Sequence, residues 1–370
     1  MNYLLGFYNQ VSSGPANITR QFIEELGNRS KDSLYTIVLP NIDTYKDLKE
    51  GLSNNISIIF LNKYSNFFLQ LIYKAYLDFF LLKRLVKKNN IQKAIIFGNY
   101  SMGSLPVRKI VLVHHPYLVD DSIYNTLSGK QYFIEWLRRR MFALTLKTNP
   151  ELVVQSNYIK ELLKKVWRYE QYISIIHNPL SKFFQNTRVE RKLVEEKINL
   201  IYVSKAHPHK NHLFIINLAR EIKKRKIQNV CIKVTISDKI QLGKQLLAVI
   251  EQEKLGGIIN NIGEVFQAEL PEHYMKATAL IFPSKTETFG NPLIEAMALG
   301  LPVIVPDLPY AHAICERAGI YYRSGSVDDV LKIVSEMTNQ QNYDEHYNKS
   351  LEIAAKYPFV DEWVEKYLKM

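Results

Sequence analysis

Two glutamates, Glu287 and Glu295, flank a Phe-Gly-Asn-Pro turn in the stretch SKTETFGNPLIEAMALGLPVIVPD, Ser284 to Asp307. The pattern reads as an apolar strand, a polar loop, an amphipathic helix and a second apolar strand. Asn291 is a good helix N-cap, Pro292 a good first helical residue and Gly300 a good stop. In that arrangement the amides of Gly290, Asn291 and Leu293 lack an intrahelical acceptor. With the helix dipole behind them they form an anion site suited to phosphate. Two carboxylates would repel that phosphate, so a real site requires them to hold something else. Sugar hydroxyls fit, because an ionised carboxylate only accepts hydrogen bonds. Glu295, read as a first-turn residue, would take both hydroxyls of a ribose, and Glu287 a second sugar beyond a pyrophosphate. Local physics alone leaves plainer alternatives: Glu295 as a charge that compensates the dipole, and Glu287 as a loop surface charge.

Three further clusters carry possible chemistry. YVSKAHPHKNH places Lys205 and Lys210 in a loop between a strand and a helix, where compact cations suit phosphate oxygens. A solvated basic loop explains them equally well. His207, His209 and His212 have no acidic or cysteine partner nearby, which argues against zinc. KIVLVHHPYLVDD runs a strand into His114 and His115. One of them would donate to a substrate hydroxyl or phosphate; no neighbour in sequence looks able to orient it as a base. In NQVSSGPANITRQF, Gly14 would let backbone approach a ligand, although no second phosphate-loop glycine follows.

The elements that must position these residues alternate along the whole chain. Short runs such as NYLLGFY, YTIVLP, KAIIFGN, INLIYVS and TALIFPS are apolar throughout and are separated by amphipathic helical segments. That is the signature of α/β folding around parallel sheets buried on both faces. A length of 370 residues favours two domains. The polar stretch after Pro179 reads as the linker between two Rossmann-like, doubly wound halves, and YPFVDEWVEKYLKM as a closing helix. Residues 1–200 hold 28 Lys/Arg against 16 Asp/Glu, whereas residues 201–370 hold 20 of each. The entire excess of +12 therefore lies in the first part. Asn66–Lys88 and Tyr132–Lys147 mix aromatics with basic residues at helical spacing. Lys74 and Asp78 interrupt the first, so neither run spans a bilayer. They read either as core helices with solvated basic faces or as a surface for an anionic membrane leaflet. No motif supports a nucleic-acid partner. The start of the chain lacks the features of a signal peptide, and Cys231 and Cys315 suggest no disulfide framework, which fits a cytoplasmic protein.

The opening stretch resembles the retaining glycosyltransferases of family 4, which carry a pattern close to P-S-x-x-E-x-F-G-x-P-x-x-E-A-M-A-x-G-x-P-V-I. Pro283, Ser284, Glu287, Phe289, Gly290, Pro292, Glu295, Ala296, Met297, Ala298, Gly300, Pro302, Val303 and Ile304 fit it. Upstream, Gly263, Val265, Glu269, Leu270, Tyr274 and Ala277 are similar to a second family segment. YVSKAHPHKN is similar to the family's G-R-x-x-x-x-K donor loop, with Ser204 for Gly, Lys205 for Arg and Lys210 in place. The resemblance is dense over about 200–330 and loose over 1–180.

What it implies is a GT-B architecture: two Rossmann-like domains facing a central cleft, with acceptor binding in residues 1–182, nucleotide-sugar binding in 183–350 and a closing helix in 351–370. The implied activity is metal-independent transfer of a sugar, with retention, from a UDP-, GDP- or dTDP-sugar to a lipid-linked or envelope glycan. Glu287 and His114 would act at the donor sugar, with His115 a possible exchange for His114. Glu295 would bind the ribose. Lys205, Lys210 and the amides around Phe289, Gly290, Asn291 and Leu293 would hold the diphosphate, Gly14 would approach it, and Val265 would meet the base. No cofactor is implied. An anionic membrane surface is the further expected partner, placing the protein at the inner face of the cytoplasmic membrane. A non-catalytic nucleotide-sugar-binding subunit and a glycoside hydrolase are the competing readings.

Overall fold

The computed structural model describes residues 1–10, 13–29, 32–49, 52–62, 67–185 and 197–370. The chain divides into two compact units, Met1–His177 with Val360–Met370, and Asn178–Phe359. The division thus falls after His177 and again after Phe359, rather than at the expected 182 and 350. The segment expected to be a linker begins inside the second unit. Leu180 pairs with Phe359, and the Phe184 ring lies buried 5.9 Å from that of Tyr274. Residues 186–196 lie outside the described residues.

In unit 1 the strands are β1 (Asn2–Gly6), β2 (Leu34–Pro40), β3 (Ile56–Leu61), β4 (Lys93–Phe97), β5 (Arg108–Leu112), β6 (Glu151–Val154) and β7 (Ile173–Ile175). They pair in parallel in the order β3-β2-β1-β4-β5-β6-β7. Alternate residues feed two cores. Leu4, Ala94, Ile96, Val111, Leu152 and Val154 face one core, and Tyr3, Leu5, Ile95, Phe97, Ile110 and Val153 the other. Burial on both faces is why these runs read as uninterrupted apolar sequence. Helix α1 (Ser13–Gly27) and the C-terminal helix Val360–Lys369 close the second core. Trp363 is 1% exposed and packs edge-on against Phe22 at 5.2 Å, and the Tyr367 ring lies 4.9 Å from Phe97. The first core is covered in part by α2 (Phe67–Tyr76), a π-helical turn (Leu77–Leu81), α3 (Leu82–Lys88) and α4 (Gly129–Leu146).

Unit 2 contains β8 (Ile198–Tyr202), β9 (Val230–Val234), β10 (Ile259–Asn261), β11 (Ala279–Ile281), β12 (Val303–Pro306) and β13 (Gly319–Tyr322), in the order β10-β9-β8-β11-β12-β13 and again parallel. Its helices include α5 (His212–Lys224), α6 (Leu270–Met275) and α7 (Asn291–Ala298). Each sheet reverses its winding once, between β1 and β4 in unit 1 and between β8 and β11 in unit 2. Ligands of open α/β sheets bind beyond the carboxyl ends of strands at such a reversal. The loops after those four strands are therefore the places to look for chemistry.

Candidate active site

In unit 2 the loops after β8 and β11 are tied together. The Asn211 amide group donates to the Pro283 carbonyl at 3.1 Å, and the Lys285 amide to the His209 carbonyl at 2.8 Å. The result is a contact across 77 residues of sequence: Lys210 Nζ donates to Glu287 Oε1 at 2.6 Å. Glu287 is 6% exposed, so its charge is held by a partner rather than by water, and its plain alternative as a surface charge does not survive. Lys205 is half-buried in the same loop. Its ammonium has no hydrogen bond or ion pair among the described residues.

The turn between the glutamates opens α7, with one change from the expected cap. Gly290, in the left-handed region at φ +83°, takes the N-cap position. A side chain there would be strained by that φ and would press on Leu293. Asn291 is instead the first helical residue, and its side-chain oxygen accepts from Asn178 at 2.7 Å. The Leu293 amide donates to the Gly290 carbonyl at 2.9 Å, so it is not one of the available donors. Those of Gly290 and Asn291 keep no acceptor among the described residues and retain the geometry of an anion site. Phe289 anchors the turn, 1% exposed with its ring edge-on to Tyr357 at 5.5 Å.

Glu295 falls in the second turn of α7, not the first, and is 6% exposed. A dipole-compensating surface charge is therefore ruled out. Tyr274, on α6, donates to Glu295 Oε2 at 3.2 Å. Burial pushes the Glu295 carboxyl up to about 7 even though this hydrogen bond opposes the shift. With Tyr274 and Gln267 as donors, the carboxylate still has lone pairs that can accept hydroxyl donors. Val265 is half-buried in the loop after β10, where the Phe266 amide donates to Glu269 at 3.1 Å.

In unit 1 the corresponding loops hold neutral groups. The His114 amide donates to Asn99 Oδ1 at 2.7 Å, and the Asn99 side-chain nitrogen lies 3.5 Å from His114 Nε2. Asn9, in the loop after β1, donates to the Gly98 carbonyl at 2.8 Å. Burial, with His115 adjacent, lowers His114 to about 4, so it is a neutral imidazole at physiological pH. His115 differs, because its Nε2 lies 2.7 Å from Glu135 Oε2. Gly14 lies in the first turn of α1, and Val11 and Ser12 before it lie outside the described residues.

Residues 183–353 match the model of the glycosyl transferases group 1 family. The chain is 27% identical to the O-antigen chain mannosyltransferase RfbU of Salmonella typhimurium, over 78% of this chain and 76% of that protein. It is 41% identical to the serotype-specific mannosyltransferase WbdA of Escherichia coli over 78 residues, which are 21% of this chain and 9% of that protein. The crystal structure of WaaG, a glycosyltransferase involved in lipopolysaccharide biosynthesis, matches at 14% identity with a TM-score of 0.71, covering 99% of this chain and 98% of that one. Residues 183–353 carry the group 1 glycosyltransferase family domain. The chain is an enzyme with the GT-B fold.

Two features of this glycosyltransferase escaped sequence reasoning. Glu135 is one: it orients His115, for which no partner was evident. Its signal was present, since it is the single acidic residue between Asp121 and Glu151. The other is the pair Lys74 and Asp78, which looked like interruptions of an apolar run. Asp78 is fully buried in the π-helical turn. It accepts from Lys74 at 3.2 Å, from the Tyr8 hydroxyl at 3.2 Å and from the Met102 amide at 3.0 Å. It thereby ties α2 to the loops after β1 and β4. Gly103 is required here, because a Cβ would sit 2.0 Å from the Asp78 carbonyl oxygen. Among the described residues, no three His, Cys, Asp or Glu residues group as metal ligands.

Proposed function

We propose that this glycosyltransferase moves a mannosyl unit, with retention of configuration, from a nucleotide-diphosphate sugar to a lipid-linked cell-envelope glycan. The observation that carries the donor half is the Lys210–Glu287 pair beside the Gly290 and Asn291 amides. Glu287 binds hydroxyls of the donor sugar, and Glu295 those of the ribose. Lys210, Lys205 and the two amides stabilise the charge that grows on the departing diphosphate. Val265 lies beside the base, and His114 is a neutral donor toward the donor sugar. Because fixed cations supply the charge, we expect transfer to persist in a chelator. Mannose is favoured by the substrates named for RfbU and WbdA, and an envelope glycan by their O-antigen and serotype roles.

The acceptor's lipid is supported by the surface of unit 1. Leu69, Ile72, Tyr76, Phe79 and Phe80 are exposed on α2 and the π-helical turn, Ile72 and Phe80 at 66% each. They run directly into Lys83, Arg84, Lys87 and Lys88 on α3. These four cations line a groove of about 700 Å³ with Ser104, Leu105 and Pro106, and none has an acidic partner among the described residues. Aromatic residues followed by uncompensated cations suit the headgroup region of an anionic leaflet. No helix among the described residues is long and apolar enough to cross a membrane, so contact would be peripheral, at the cytoplasmic face.

Purified protein, a panel of nucleotide-diphosphate mannose, glucose and galactose donors and a lipid-linked acceptor fraction test the reading. Transfer that is lost in folded Glu287→Ala supports it. Nucleotide binding without turnover in the wild type would favour a non-catalytic donor-binding subunit instead.

A further inference from the structure

Glu135 lies on the inner face of α4, 4% exposed. Arg138 donates to its Oε1 at 2.5 Å and the His115 ring nitrogen Nε2 lies 2.7 Å from its Oε2. Burial opposes a charge on Glu135, yet His115 and Arg138 hold its carboxyl below the usual glutamate value. An ionised carboxylate only accepts, so the shared proton belongs to His115 Nε2. Nδ1 is then the ring nitrogen left for a further partner. That nitrogen has no partner among the described residues, and the side chain is 25% exposed. His115 begins the turn that follows β5, beside His114, at the carboxyl edge of the unit 1 sheet. Around His115, His114 is neutral, Arg138 Nη1 lies 3.4 Å from Nε2, and the Tyr117 ring lies 5.7 Å away. The arrangement is a buried carboxylate that fixes the orientation of the ring and leaves Nδ1 for a further partner.

We propose that His115, fixed by Glu135, hydrogen-bonds a hydroxyl of the acceptor sugar through Nδ1 and so orients that sugar for attack. His115 touches the substrate; Glu135 is a positioning residue that acts through it. The inference rests on the reading of unit 1 as the acceptor-binding half and adds the specific contact. Glu287 and its neighbours act on the donor, so the two halves are separable by experiment.

The test uses the full-length enzyme, its nucleotide-sugar donor and a panel of octyl glycosides of mannose, glucose, galactose and N-acetylglucosamine. His115→Gln places an amide where Nε2 was, keeping Glu135 satisfied, but has nothing at the Nδ1 position. It should raise the acceptor KM about tenfold and leave the melting-temperature shift given by the donor nucleotide unchanged. His115→Asn, which offers an oxygen near the Nδ1 position, should recover part of the loss. Glu135→Gln should reproduce the acceptor defect. Nitrogen NMR of the imidazole, assigned by its loss in His115→Gln, should show a protonated Nε2 in the wild type and a changed signal from that nitrogen in Glu135→Gln. Unchanged acceptor KM in a folded His115→Gln would overturn the contact alone. An equal fall in donor binding would also overturn it, by showing a general structural defect. No transfer by the wild type to any glycoside of the panel would count against glycosyl transfer and this contact together.

Discussion

The two units share a winding pattern and differ in what they place at its reversal point. In unit 2 the loops after β8 and β11 bring a lysine–glutamate pair, a second unpaired lysine and two open amides to one edge. In unit 1 the loops after β1, β4 and β5 bring a neutral histidine and two asparagines. Two buried carboxylates there, Asp78 with Lys74 and Glu135 with Arg138, are held by basic partners within the unit. Yet unit 1 holds most of the chain's excess of positive charge. Four of its cations stand together on α3. A departing diphosphate needs fixed cations and amide dipoles. An uncharged acceptor sugar needs neutral hydrogen-bonding groups. On the proposed reading, the difference between the two edges is the division of labour within one reaction.

The sharpest way to break that comparison is Glu287→Ala. It removes a buried anion and leaves Lys210 without its partner. Transfer should fall by about a hundredfold to a thousandfold, while unit 1 variants such as His115→Gln lose about tenfold and only through the acceptor. A fall of less than threefold in steady-state transfer by Glu287→Ala would remove the donor-sugar role. Lys205 ranks next. Lys205→Ala should weaken nucleotide-diphosphate binding about tenfold, and Lys205→Arg should retain or improve it, because a guanidinium can hold two phosphate oxygens at once. Isothermal titration with the bare diphosphate would read both.

Glu295 makes a smaller but signed prediction. Its folded value of about 7 lies above the ordinary glutamate value of 4.5. The folded chain therefore keeps a proton that the unfolded chain releases, and stability is lost as pH rises from about 4.5 through 7. Glu295→Gln should be stabilising at pH 8 relative to pH 5, by on the order of 2 kcal/mol, measured by denaturant unfolding. It should also weaken nucleotide binding, because the ribose hydroxyls lose their ionised acceptor. The opposite pH trend in stability would contradict the burial assigned to Glu295. The smallest expected effect is on the membrane face. Charge reversal at Lys83, Arg84, Lys87 and Lys88 should release the protein from vesicles of anionic lipid, while transfer to a water-soluble acceptor stays unchanged. Vesicle binding equal to the wild type would remove that surface from the account.

The strands and the donor loop were legible in the sequence for a physical reason. A parallel strand buried on both faces is a continuous apolar run, and each run expected as a strand coincides with one. The exception is β13, where GIYY is short and its tyrosines carry hydroxyls, so no run stands out. The position of Glu287 was legible because strand, turn and helix succeed one another within a few residues. Its partner was not, since Lys210 lies in a loop far upstream and only the sheet order joins them. Glu295 was misplaced by one helical position, because a left-handed glycine cap cannot be told from an asparagine cap by composition. Glu135 and Asp78 were hidden by the habit of reading charges in an amphipathic helix as solvated, when both are buried partners of basic groups.

The central claim is that a nucleotide diphosphate sits at the reversal point of unit 2. Thermal unfolding of the wild type, Lys210→Ala and His115→Gln in the presence of UDP, GDP and dTDP tests it most directly. One nucleotide should raise the melting temperature of the wild type and of His115→Gln equally, by mass action, and should fail to do so in Lys210→Ala. A nucleotide that stabilises Lys210→Ala as much as the wild type, or a shift lost in His115→Gln instead, would contradict the account.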